Sequence, residues 1–162
     1  MSRIVVADTS PILYLHLIGQ IELLRSLFAE IHIPEAVFAE LCHSAAPEFL
    51  RAWALSRPEW MIVNTDVVFA DAETSRLDIG ERAAIALAKR LAADLLLMDE
   101  RRGVRVALSK GLAVTGTLGI LVRAAQRGLI DAADCVERLK RTNFRYRPEM
   151  LAALIDKTRP GS

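Results

Sequence analysis

Short, unbroken apolar runs alternate with helical stretches along the whole chain, and this alternation limits the fold more than any other feature. The runs are Ile4-Val5-Val6-Ala7, Ile31-His32-Ile33, Trp60 to Val63, Asp94 to Asp99 and Ala113-Val114-Thr115. Strands covered on both faces read as continuous apolar runs, as in the interior of a parallel sheet. Between them, Ser10-Pro11 offers an N-cap followed by proline at the first helical position, and Leu13, Leu15, Leu17 and Ile18 carry that helix to Gly19. Further helices are expected over 21–28, 34–41, 47–55, 79–92, 100–110, 116–126 and 131–139, and after Pro148. Asp78 can cap the alanine-rich helix that starts at Ile79, while 64–77 reads as a polar surface loop. Strands alternating with helices imply βαβ units. The expected architecture is α/β, a three-layer α/β/α sandwich around a mainly parallel sheet of about five strands. Neither a repeat nor a linker divides the 162 residues, so one domain over 1–162 is expected.

Composition narrows the function classes. The chain is 52% hydrophobic and 25% charged, which supports a sizeable core and excludes the disordered class. Its apolar runs are far shorter than a membrane span, so no membrane partner is expected. Asp8 falls inside the only stretch that could pass for a signal peptide, and Ser10-Pro11 then starts a helix, so export is not expected either. Cys42 and Cys135 form no metal-ligand spacing and no disulfide framework, which suits a cytoplasmic protein. The net charge of +1 argues against a generic polyanion binder. Its distribution is more telling. Residues 1–100 carry 8 Lys/Arg against 15 Asp/Glu, or −7, while residues 101–162 carry 13 against 5, or +8. An acidic pocket beside a basic rim suits a metal-dependent nuclease, in which carboxylates hold cations and Arg/Lys hold phosphates.

Four acids occupy matching topological positions. Asp8 and Asp99 each end a strand, and Glu40 and Glu81 lie on helical stretches between. In an open parallel sheet the strand C-termini gather along one edge, where ligands bind. Like charges gathered there are costly unless protons or cations neutralise them, and hard divalent cations are the natural counter-charge for carboxylates. That points to metal-assisted phosphoryl chemistry. Each acid also has a plainer role: Asp8 and Asp99 as helix caps, Glu40 as the boundary residue of an amphipathic helix, and Glu81 as a first-turn acid facing the helix dipole. The histidines His16, His32 and His43 lie on separate elements with no metal spacing. No nucleophile elbow is present. Gly116-Thr117-Leu118-Gly119 lacks a Walker pattern and reads as a tight strand-to-helix turn, whose Thr117 hydroxyl and N–H can touch the site. Trp53 and Trp60 read as packing residues.

With these residues in view, the chain resembles the PIN-domain ribonucleases, and within them the short prokaryotic VapC-like toxins. The resemblance rests on Val6-Ala7-Asp8-Thr9-Ser10-Pro11, Ile33-Pro34-Glu35-Ala36-Val37 followed by Glu40, Gly80-Glu81 leading into Ala84-Ile85-Ala86-Leu87-Ala88, and Leu97-Met98-Asp99-Glu100-Arg101-Arg102 leading to Val114-Thr115-Gly116-Thr117-Leu118-Gly119. It implies Mg²⁺- or Mn²⁺-dependent cleavage of single-stranded RNA, with Asp8, Glu40, Glu81 and Asp99 as catalytic metal-binding acids and Thr9, Ser10 and Thr117 as polar pocket residues. Many such toxins carry a further Asp or Asn just after the last aspartate, where this chain has Glu100, Arg101 and Arg102.

The expected chemistry is phosphodiester hydrolysis by a metal-activated water. Arg101, Arg102 and Arg105 follow Asp99 and are candidates for gripping RNA phosphates. The toxin of a toxin–antitoxin pair is the expected role, with a cognate antitoxin and a homodimer as partners. The alternatives are a non-catalytic RNA- or protein-binding module of the same fold, or an RNA-processing nuclease without an antitoxin. A phosphoryl-accepting receiver domain would want a second acid beside Asp8, where Thr9-Ser10-Pro11 stands instead. For the homodimer, Leu13, Leu17, Leu24, Leu50 and Trp53 offer more apolar surface than a five-stranded sheet of this size is expected to cover on one side.

Overall fold

Each apolar run becomes a strand. The computed structural model describes residues 3–67 and 74–158. In chain order the elements are β1 (Val5–Ala7), α1 (Thr9–Leu17), α2 (Leu23–Phe28), β2 (Ile31–Pro34), α3 (Glu35–Leu41), α4 (Glu48–Leu55) and β3 (Met61–Asn64). They continue with α5 (Ile79–Arg90), β4 (Leu95–Leu97), α6 (Arg101–Ser109), β5 (Val114–Thr115), α7 (Thr117–Gln126), α8 (Ala132–Lys140) and α9 (Pro148–Lys157). Part of the loop expected over 64–77, residues 68–73, lies outside the described residues, and Asn64 ends β3. The first helix starts at Thr9, earlier than Ser10-Pro11 suggests. Proline is tolerated there because the first-turn N–H groups have no intrahelical partner to lose.

The five strands form one sheet in the order β3-β2-β1-β4-β5, and every pairing is parallel. Val5, Val6 and Ala7 stand opposite Leu95, Leu96 and Leu97. Alternate residues along these strands serve two cores, because successive strand side chains point to opposite faces. Val5, Ala7, Ile31, Ile33, Leu95 and Leu97 pack with Ile12 and Leu15 of α1, Val37 and Leu41 of α3, and Ile120 and Leu121 of α7. On the other face Val6, Leu96 and Met98 meet Ile85, Leu87 and Ala88 of α5 and Ala107 of α6. Helices therefore cover both faces of the sheet, which is why the central strands β1 and β4 are apolar at every position.

The apolar residues of the first sixty positions mostly complete this core. Leu24 and Leu50 are buried, Leu13 and Trp53 pack against the core, and Leu17 stays exposed together with Phe49 and Leu55. Trp53 and Trp60 pack on each other with ring centroids 5.7 Å apart. Among the described residues no helix is long and apolar enough to cross a membrane.

Candidate active site

The strand order fixes where a ligand can enter. From β1 the chain crosses to β2 and then β3 on one side, and returns to β4 and β5 on the other. The switch point is at β1 and β4, and the crevice opens beyond their C-terminal ends. Asp8 directly follows β1, and Asp99 lies two residues beyond β4. The Asp8 N–H donates to the Leu97 carbonyl at 2.9 Å, continuing the β1–β4 ladder to the foot of the crevice. A second, smaller cavity of about 420 Å³ is lined by Glu30, Trp60 and their neighbours, at the N-terminal ends of β2 and β3. It is on the opposite edge from the acids.

Each acid is positioned by a different device. Asp8 occupies the N-cap position of α1 with extended backbone, yet its side chain makes no cap hydrogen bond and is 5% exposed. Asp99 is not the cap of α6, because Glu100 takes that position. Its carboxylate instead turns to α7, where the Thr117 N–H donates to Oδ1 and the Thr117 hydroxyl to Oδ2, both at 2.7 Å. Thr117 is fully buried, and its N–H is one of the donors that the start of α7 leaves without a helical partner. The Thr9 hydroxyl donates to Glu40 Oε2 at 2.5 Å, tying α1 to α3. Glu81 is 8% exposed in the first turn of α5, and its N–H donates to Asp78 Oδ1 at 2.8 Å.

Two glycines make room for carboxylates. A Cβ on Gly80 would stand 2.2 Å from Glu40 Oε1, and one on Gly116 would stand 2.6 Å from Asp99 Oδ1. Any side chain at either position would force the neighbouring carboxylate to shift from its present place.

The electrostatics record the crowding. Burial, together with the charges of Asp78, Glu40 and Asp99, pushes the Asp8 carboxyl from 3.8 up to about 7, against a lowering hydrogen bond from the Thr9 backbone. Burial, a hydrogen bond to Asp78, and the charges of Asp78, Asp8 and Glu100 push Glu81 up to about 8. Burial also raises Glu40 and Asp99, opposed by hydrogen bonds from Thr9 and Gly80 for the first and from Thr117 for the second. Asp8, Glu40, Glu81 and Asp99 thus share one electrostatic neighbourhood, as their sequence positions suggest. Asp78 is a fifth member that sequence reading treats only as a helix cap. Its local role as the cap of α5 leaves no sequence signal of that membership.

Among the described residues no three His, Cys, Asp or Glu side chains already close around a common point. The Glu40 and Asp99 carboxylates are turned onto Thr9 and Thr117, and burial raises those of Asp8 and Glu81. The donor chemistry still fits one kind of ion. His16 packs on Phe49 and Trp53, His32 meets Asn64 and Glu30, and His43 is exposed, so the histidines are engaged elsewhere. What remains is oxygen only. Such a set suits Mg²⁺ or Mn²⁺, which keep several waters and take few protein ligands, rather than zinc in a closed Cys/His site.

Beside Asp99 the crevice widens into a cavity of about 810 Å³ that includes Ser10, Glu100 and Arg101 in its lining. Arg102 and Arg105 are exposed on α6 and are not part of that lining. Compared with known protein families, the chain matches the PIN domain over residues 4–160. The chain belongs to the PIN-domain family. Searches of curated proteins and of solved structures return no match. Membership of the PIN family points to a nuclease-type function.

Proposed function

We propose that this PIN-domain protein is a Mg²⁺- or Mn²⁺-dependent endoribonuclease for single-stranded RNA, acting as the VapC-like toxin of a toxin–antitoxin pair. The observation that carries the reading is the buried Asp8 carboxyl, held among other acids at the sheet's switch point and pushed up to about 7. A protein gains nothing structurally from such crowding, and a divalent cation relieves it.

Asp8 and Asp99 would hold the ion directly, and Glu40 and Glu81 directly or through water. When bound, the ion supplies charge neutralisation at the scissile phosphate and lowers the pKa of a water. The chain's own residues do the positioning. Thr117 fixes the Asp99 carboxylate through two hydrogen bonds, and Thr9 fixes Glu40 through one. Ser10 adds a hydroxyl to the same crevice. Burial and neighbouring acids raise Asp8 to about 7 and Glu81 to about 8, so a bound cation would favour the ionised form of both. Arg101 borders the cavity, and Arg102 and Arg105 extend the positive charge along α6 towards the phosphate backbone.

Cleavage of a panel of unstructured RNAs with Mg²⁺, Mn²⁺ or EDTA tests the reading. The expected result is endonucleolytic cleavage with either ion and none in EDTA; undiminished cleavage in EDTA would sink the metal dependence. Asp8→Asn separates a nuclease from a binding module, since a binder keeps its effect. Expression in a bacterial host tests the toxin role: growth arrest that Asp8→Asn relieves supports it, and the absence of any arrest favours an RNA-processing enzyme. Leu17, Phe49 and Leu55, exposed on α1 and α4, are the surface on which a homodimer or an antitoxin would sit.

A further inference from the structure

The cavity beside Asp99 reaches far beyond the acids. Its other wall is the segment between α8 and α9, which contributes Phe144, Arg145, Tyr146 and Arg147. Tyr14 of α1 also lines the cavity. This segment, Arg141-Thr142-Asn143-Phe144-Arg145-Tyr146-Arg147, is the part of the chain where guanidinium and aromatic side chains interleave most closely. It is locked onto α1 by two contacts. The Tyr14 hydroxyl donates to Asn143 Oδ1 at 2.9 Å, and the Tyr14 and Phe144 rings meet edge to face with centroids 4.9 Å apart. Tyr146 is half-buried, packs against the edge of the main core and lines the cavity, with no ring contact to another aromatic side chain among the described residues. The cavity is thus lined by the aromatic side chains of Tyr14, Phe144 and Tyr146 and by guanidiniums at Arg101, Arg145 and Arg147.

We propose that this cavity is a nucleotide subsite, in which a splayed-out base of single-stranded RNA stacks on Tyr146 while Arg145 and Arg147 hold the adjoining phosphates. The inference rests on the nuclease reading and adds to it how the substrate is gripped. Three physical points favour this occupant. A volume of about 810 Å³ lies within the ~300–1,000 Å³ range of sites that take a small organic group, so it admits a base with its sugar. Aromatic rings stack on any base, and arginines track the backbone, which is how single strands are bound without a fixed sequence. The cavity also opens directly onto Asp99, so a base seated there leaves its neighbouring phosphate beside the acids. A duplex keeps its bases stacked and offers none for this ring.

Binding of the full-length chain to an unstructured RNA oligonucleotide containing 2-aminopurine tests this in EDTA, where no cleavage intervenes. Stacking on a tyrosine quenches 2-aminopurine, so the unmodified protein should both bind and quench. Tyr146→Phe should bind within about twofold, whereas Tyr146→Ala and Tyr146→Leu should weaken binding about tenfold and lose the quenching. Arg145→Gln should weaken binding and flatten its salt dependence while keeping the quenching. Equal binding by Tyr146→Ala, or Leu performing as well as Phe, overturns the subsite, as does failure of the unmodified chain to bind. Thermal melts accompany each variant, and the Phe–Leu comparison decides the matter if the alanine variant is poorly folded. Because the assay needs no turnover, stacking without cleavage removes the nuclease reading alone. Cleavage with an indifferent Tyr146 removes the subsite alone.

Discussion

Replacing Asp8 by Asn should stabilise the metal-free protein at the same time as it abolishes cleavage. The Asp8 carboxyl stands at about 7 in the fold against an ordinary value of 3.8. At about 1.4 kcal/mol per pH unit, keeping it ionised costs the native state on the order of 4 kcal/mol relative to the unfolded chain. The sign follows from proton counting. Below about pH 4 both states carry the proton and no cost appears. Between about pH 4 and 7 the unfolded chain releases the proton and the native state keeps it, so stability falls as pH rises. Above about pH 7 the loss is complete. An asparagine has nearly the same shape and does not titrate, and the 2.9 Å backbone bond to Leu97 is unaffected. Urea unfolding of both proteins in EDTA, from about pH 4 to 8.5, gives the difference. The advantage of Asp8→Asn should grow by on the order of 4 kcal/mol across that range, or about 10 °C in Tm for a chain of this size. Added Mg²⁺ should then stabilise the parent and leave the variant unmoved. A pH-independent difference would refute the repulsion argument. A variant that is less stable at pH 8 and still cleaves RNA would make Asp8 a structural cap.

Gly80→Ala should cut activity at least tenfold without removing a carboxylate, because its Cβ would stand 2.2 Å from Glu40 Oε1; circular dichroism should show the fold retained, since alanine favours the helix by about 1 kcal/mol. Asp99→Asn should lose cleavage but, unlike Asp8→Asn, show little stabilisation, since one of the two Thr117 hydrogen bonds must be broken or reversed at a cost of about 1 kcal/mol. Arg101→Ala should raise KM and reduce the salt dependence of RNA binding by about 0.7 in log–log slope, with Arg102→Ala having the smaller effect because it lies outside the cavity lining. Sedimentation velocity at micromolar concentration should show a dimer that Leu55→Glu dissociates; a single 17.9 kDa species at every concentration removes the homodimer.

The sheet was legible in the sequence because burial on both faces leaves little choice of residue. Val5-Val6-Ala7 and Leu95-Leu96-Leu97 serve opposite cores with alternate side chains, so every position must be apolar. Helix starts were less clear, since the first turn tolerates proline at several positions and α1 begins ahead of Pro11. The acids Asp8 and Asp99 were visible because they terminate strands. Asp78 was hidden by having a sufficient local explanation, and only the folded chain sets its charge against Asp8 and Glu40. The aromatic wall of the cavity was hidden for a different reason. Tyr14 and Asn143 are 129 residues apart, and no local pattern announces that α1 and the segment after α8 share a crevice.

The features that hold the acids in place also keep them from dispersing their charge. Glu40 and Asp99 lie against Gly80 and Gly116, where any other residue would force them to shift. Thr9 and Thr117 supply hydrogen bonds that fix the two carboxylates but only partly offset the effect of burial, since both pKa values remain raised. A typical domain is stable by about 5–15 kcal/mol, so a cost on the order of 4 kcal/mol at one aspartate is a large fraction of the whole. Structural capping offers no return for that, because a solvent-exposed acid caps a helix equally well. Asp78 shows as much: it is exposed, accepts the Glu81 N–H at 2.8 Å and caps α5 without being buried. The difference between Asp78 and Asp8 is therefore the argument for function. One acid caps a helix in water, and the other sits beneath the crevice with an electrostatic deficit that a divalent cation can fill.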